Sequence, residues 1–293
     1  MKISTVFLYD EPSVPEIKIE DLANFIRDVF CVKVEIRKNI FNYFQSNIAS
    51  DLAACRIFDT RIPFERHSPT QEEIRFEEDS FVNNKETNII MYDGFEFLKA
   101  ITGIISEDEL GPDKFHLVCT NKLTCTFDLD DYRYHGRAVI CSNPAIISTT
   151  GIIEAPAKPR EFYLSLLTNI TQGLNIDTIK NQFRGRYLEH HDPKIGEVIK
   201  GYALQALFYY LTGESFCESK ECRLFNAHWQ SDLLHSQIEI GKLCDRSIST
   251  TVVVSVPIQP SALVTVTVYI VVINGVTFNV DALPRFVAPC IQV

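Results

Sequence analysis

Four groups of side chains in this chain have types and spacings suited to chemistry. Cys217 and Cys222 are separated by four residues just beyond a long apolar stretch, and Cys244 follows further on. Clustered thiols in a reducing compartment read as metal ligands or small buried hydrophobes before they read as disulfides. His228, Asp232 and His235 stand at i, i+4 and i+7, which on a helix is one polar stripe able to hold a divalent metal. His190 and His191 precede Asp192, a set that can ligate metal or move a proton, with His190, His191 and Asp232 the catalytic candidates. Arg137, Lys158, Arg160, Arg184 and Arg186 could clamp an anionic small molecule. Each group has a plainer counterpart: packing thiols, a solvated helix face, ordinary surface charge. The chain contains no P-loop, GxGxxG, GxSxG or intact HExxH.

The elements that must position these groups follow from periodicity. Ile3–Leu8 is an apolar run expected to be a buried strand. Leu22, Phe25, Ile26 and Val29 recur at helical spacing within 17–30, and Val32, Val34 and Ile36 alternate with charged residues as in a strand. Strand, helix, strand predicts an α/β layer. Residues 41–58 read as helical, and the acidic segment 63–84 as an exposed connection. Residues 95–105 are a helix or a strand. Residues 116–119 and 123–127 read as an edge hairpin, and 137–141 as a short buried strand. Ser148–Gly151 reads as a loop rich in turn formers. Helices are expected at 161–171, 176–184 and 194–212, the last apolar on most faces and therefore central and buried. Gly213 sits where a helix-ending glycine belongs.

The end of the chain differs in composition. Residues 247–280 carry no charge, and valine and threonine dominate. Pro257, Pro260 and the 264–268 Val-Thr alternation argue against a membrane helix, and Asn274-Gly275 between two β-rich runs predicts a hairpin. Two units are therefore expected, 1–244 and a β tail at 245–293. An open valine-rich edge on the tail would pair with the main sheet or with a second copy of the chain.

The segment from Ala206 to Leu224 resembles the zinc signature of the archaemetzincins, HExxHxxGxxHC followed after four residues by CxM. Gly213, Cys217 and Cys222 match the glycine and both cysteines, and Leu224 takes the methionine's place. Ala206, Tyr210 and Phe216 stand where the resemblance implies the three zinc-binding histidines, and Leu207 where it implies the general-base glutamate. None of these side chains can hold the ion or activate its water. The resemblance extends over residues 2–244 and implies a metzincin-like upper subdomain. It also implies a second, structural zinc on Cys217, Cys222 and Cys244, where Gly241 or Ser247 replaces a fourth cysteine. His228 or His235 could complete such a site.

The whole chain has 293 residues, is 46% hydrophobic and carries a net charge of −10. That balance supports a sizeable core and excludes a general nucleic-acid binder, which needs a basic face. Nine cysteines in a chain this long do not make a disulfide scaffold, and the start shows no secretory signal. A cytoplasmic location without a membrane anchor is expected. The fold class expected is α/β: a twisted mixed sheet with flanking helices, a long buried helix and a C-terminal β-hairpin. Three functions remain open: a metzincin relative that binds a protein or small-molecule partner without peptidase chemistry, a metal hydrolase with a relocated histidine site, and an unrelated anion-binding protein.

Overall fold

A computed structural model describes residues 3–43, 47–82, 89–245 and 247. The tail hairpin expected at Asn274-Gly275, and Cys290 with it, lie outside the described residues. A mixed five-stranded sheet organises the rest, in the order β2-β1-β4-β8-β7. Strand β1 (Thr5–Tyr9) pairs in parallel with β2 (Lys33–Arg37) on one side and β4 (Lys114–Thr120) on the other. Strand β8 (Ala145–Ser148) continues the parallel array beside β4, and β7 (Val139–Ile140) closes it antiparallel.

Helices cover both faces, so the central strands are apolar at successive positions rather than at every second one. Val6 and Leu8 turn to one face, where α1 (Ile19–Phe30) and α8 (Ile195–Thr212) complete the larger core. Phe7 and Tyr9 turn to the other, against α2 (Ile48–Ala54) and α4 (Gly94–Thr102). The expected first strand, helix and second strand thus share one sheet. Helix α8 is buried along most of its length and ends at Gly213, whose φ of 83° is the left-handed geometry that favours glycine.

Four local expectations are corrected. The acidic segment 63–84 contains helix α3 (Gln71–Val82), not only a connection. Its start is a capping box: Thr70 N donates to Glu73 at 2.7 Å and Glu73 N donates to Thr70 Oγ1 at 3.3 Å. Its inner face carries Glu77, fully buried against Arg56 and Lys122. The expected hairpin at 116–127 is not one. Residues 115–120 of β4 are all buried, as a central strand requires, whereas β5 (Leu123–Asp128) belongs to a second sheet. There it lies between β3 (Met91–Asp93) and β6 (Arg133–Arg137). The expected loop at 148–151 is the junction of β8 and helix α5 (Thr149–Glu154), with Ser148 Oγ accepting from Gly151 N at 2.8 Å. Residues 41–58 form a 3₁₀ turn and the short α2 rather than one helix, with 44–46 outside the described residues.

Helices α6 (Arg160–Thr171) and α7 (Ile176–Gln182) pair around a small core of Phe162, Ile179 and Phe183. Helix α9 (Gln230–Leu234) runs into a π-helical turn, His235–Ile240. Among the described residues, no helix is long and apolar enough to cross a membrane.

Candidate metal centre

The end of α8 and the chain beyond it build the site. Gly213 turns the backbone out of the helix, and Cys217 N then donates to Leu224 O at 2.9 Å, closing the 218–223 segment into a loop. That closure sets Cys217 and Cys222 on the same side. The chain returns through α9 and the π-helical turn, and Gly241, at φ 59°, directs it toward Cys244.

The sulfurs of Cys217, Cys222 and Cys244 all lie within 4.8 Å of one another. Cys217 Sγ and Cys244 Sγ are 3.7 Å apart. Two thiolates bound to one tetrahedral zinc at about 2.3 Å would be separated by about 3.8 Å. The spacing and the soft donors therefore fit that ion. Cys244 N lies 3.5 Å from Cys222 Sγ, so a backbone donor already faces that sulfur. Ser247 completes the group, its Oγ 3.4 Å from Cys222 Sγ and 3.3 Å from Cys244 Sγ.

The three thiols are not electrostatically alike. Burial pushes the Cys222 thiol up despite its contacts with Ser247 and Cys244. Burial also opposes ionisation of Cys244, but hydrogen bonds from the Ser247 hydroxyl and backbone, and from the neighbouring thiols, outweigh it and bring the group down to about 7. Cys55 and Cys125 are both pushed by burial up to about 12. In metal-free protein at neutral pH, iodoacetamide should therefore label Cys244 at least about a hundredfold faster than Cys55 or Cys125, since the thiolate is the reactive form. Peptide mapping by mass spectrometry checks this, and equal labelling of the three would contradict it.

The histidines expected near this site stand elsewhere. Helix α9 begins at Gln230, so His228 precedes it, and the i, i+4, i+7 stripe does not form. The backbone oxygen of His228 accepts from Ala157 N. Asp232 accepts from Lys220 at 2.8 Å, and His235 lies between Glu221 and Glu239 at 2.8 and 2.6 Å. Those two carboxylates raise the His235 pKa, with Glu221 the larger influence. Among the described residues, the metal-capable groups of three are the cysteine cluster and Asp128–Asp131–His135 on the β5–β6 turn. In the latter, Asp131 is already taken by Arg133 and His135.

His190 and His191 line a second place, a cleft at the carboxyl ends of the parallel strands. It opens between the loops after β1 and β4, where the chain's connections leave in opposite directions, the usual ligand position of an open α/β sheet. Ser13, Asn121, Lys122 and Thr150 line it as well. Buried Glu11 ties the two loops together, accepting from Ser13 Oγ at 2.7 Å and Asn121 N at 3.1 Å. Sequence reading named the two histidines but not Ser13, Asn121 or Lys122, whose only signal was their place after apolar runs. The basic set does not act as one clamp. Lys158 pairs with Glu154, Arg186 with Glu161, Arg137 donates to Thr126 Oγ1, and Arg160 lies over Trp229.

The positions that the sequence resemblance set against the peptidase ligands are not alike: Phe216 is exposed and Tyr210 half-buried, while Ala206 and Leu207 lie in the core. Ala206 and Leu207 have no exposed surface, and Tyr210 donates its hydroxyl to Pro112 O at 2.8 Å. No curated protein matches the chain. Two solved structures resemble it at low identity. Archaemetzincin from Methanopyrus kandleri is 10% identical over 85% of this chain and 93% of its own, with a TM-score of 0.43. A zinc-dependent peptidase from Methanocorpusculum labreanum is 11% identical over 85% of this chain and 100% of its own, with a TM-score of 0.39. A family model described as "Probable metallopeptidase family (DUF6775)" matches residues 2–254, most of the sequence, and the chain belongs to that family.

Proposed function

We propose that this member of a metallopeptidase family has lost peptidase chemistry and works as a binding module stabilised by one zinc on Cys217, Cys222 and Cys244. The observation that carries the reading is the contrast between two places on the same stretch of chain. Where the family resemblance implies catalytic ligands, Ala206 and Leu207 are packed in the core and Tyr210 is committed to a backbone carbonyl. None of them offers the imidazole or carboxylate that holds a catalytic zinc and activates its water. Immediately beyond, three thiols converge at a spacing that suits a structural ion. The binding surface is the cleft lined by Lys122, Asn121, Thr150, His190 and His191, held in shape by Glu11.

Two measurements on the purified full chain test this. Metal analysis should give about one zinc per chain, lost in Cys222→Ser, because one tetrahedral site needs its thiolates. Hydrolysis of a fluorogenic protein substrate should stay at the background of buffer with added zinc. Hydrolysis that is abolished by 1,10-phenanthroline and by His190→Ala would instead establish a relocated peptidase centre.

A further inference from the structure

The fourth corner of the cysteine site is unlike the other three. Zinc takes thiolate sulfur, imidazole nitrogen or carboxylate oxygen, and a neutral alcohol is none of these. Ser247 occupies the corner toward Cys222 and Cys244 with its hydroxyl, at 3.4 and 3.3 Å from their sulfurs. A closed structural site has four protein ligands, whereas a site with three keeps a position for a molecule from outside.

That position has somewhere to open. A cavity of about 300 Å³ lies against the site, and Cys217 and Ser247 are both part of its wall. Phe208, Phe216 and Leu224 supply apolar surface there, and among the described residues the charged side chains lining it are Glu214 and Glu218. Phe216 is 47% exposed, so the cavity wall it forms meets solvent.

The chemistry of the two halves selects a ligand. Zinc is borderline soft, and a sulfur donor matches the three thiolates already in place. Three thiolates leave a divalent ion with one net negative charge, and a fourth deepens it beside two carboxylates. A positive group carried by the same ligand offsets that charge. Building on the zinc reading above, we infer that Cys217, Cys222 and Cys244 form an open three-thiolate site that takes a small aminothiol from the adjacent cavity. Its sulfur occupies the corner held by Ser247 and its ammonium lies toward Glu214 and Glu218. On binding, the thiol gives its proton to solvent and its sulfur takes the place of the Ser247 hydroxyl in that corner. No electron is transferred.

The experiment uses the full chain loaded with cobalt(II), which reports sulfur ligation through its visible and near-ultraviolet absorption. Cysteamine titrated into the wild-type protein should change that spectrum saturably. 3-Mercaptopropionate, with a carboxylate in place of the ammonium, should need at least about fivefold more, the size of one partly screened charge interaction. Ser247→Cys should remove the response by filling the corner, and Glu214→Gln with Glu218→Gln should erase the preference between the two thiols. If cobalt binds but cysteamine leaves the spectrum unchanged, or if Ser247→Cys responds like wild type, the open site is wrong and the structural zinc stands. An equal response to both thiols overturns the aminothiol assignment. If cobalt shows no sulfur ligation, the zinc reading falls and this inference falls with it.

Discussion

Glu77→Ala is expected to lower the unfolding free energy by about 3–5 kcal/mol, the usual cost of removing one partner from a buried ion pair. Glu77 has no exposed surface, and both its oxygens are used. Oε1 accepts from Arg56 at 2.6 and 2.9 Å and from the Tyr92 hydroxyl at 2.8 Å, while Oε2 accepts from Lys122 at 2.7 Å. The side chains of Arg56 and Lys122 are only 10% and 7% exposed, so neither cation can turn to water when the carboxylate is gone. The group joins α3, the chain leaving α2, strand β3 and the turn after β4. It also fixes Lys122 in the cleft wall. Urea unfolding followed by circular dichroism measures the effect, and a loss below about 1 kcal/mol would show the cluster to be as weak as an exposed pair.

Gly151→Ala should be comparably damaging. A Cβ at this position would overlap the carbonyl oxygen of Arg137 and stand 2.7 Å from its carbonyl carbon. Both belong to the last residue of β6, and Ser148 N donates to Ala138 O at 2.9 Å just beyond it, so neither side can withdraw cheaply. Overpacking against fixed backbone costs about 1–3 kcal/mol and sometimes more. We expect the upper end, seen as a fall in thermal midpoint. A second alanine variant at Gly103, where φ is −65° and an added Cβ meets only ordinary contacts at 3.5 and 3.6 Å, separates the clash from other glycine effects. It should retain more stability than Gly151→Ala, and a larger loss there would refute the packing argument.

How much of this was legible in the sequence depended on the range of the interactions. The β1–α1–β2 opening and α8 were readable because local periodicity and burial agree there. Gly213 was readable because a helix end needs the left-handed geometry that its φ of 83° shows. The capping box of α3 was also on view as Thr70-x-x-Glu73, but the acidic composition around it suggested a solvated connection. Glu77 reverses that expectation through Lys122, 45 positions away, and no local pattern announces such a partner. β-propensity at 116–127 was read correctly as strand and wrongly as hairpin. The turn at Asn121-Lys122 passes between two sheets instead of folding one strand back on the other. At the candidate site, the resemblance to the archaemetzincin signature pointed to Cys217, Cys222 and Cys244, which the fold brings together. The histidine stripe assumed a helix that begins two residues too late to include His228.

Arg223 gives the cysteine cage a kinetic character. Its backbone N donates to Lys242 O at 2.9 Å, and its guanidinium donates to Gly241 O, to Glu197 O and to the Glu197 carboxylate. Gln237 Nε2 returns a bond to Arg223 O at 2.7 Å. These bonds hold residues 222–223 against 241–244 without using a single sulfur. An ion that departs would thus leave its ligands standing in register, and its replacement would need no search through unfolded conformations. Exchange of an ion bound in such a cage would be governed by the encounter and by ligand protonation, as in a rigid chelator, and Arg223→Ala would be expected to slow refilling.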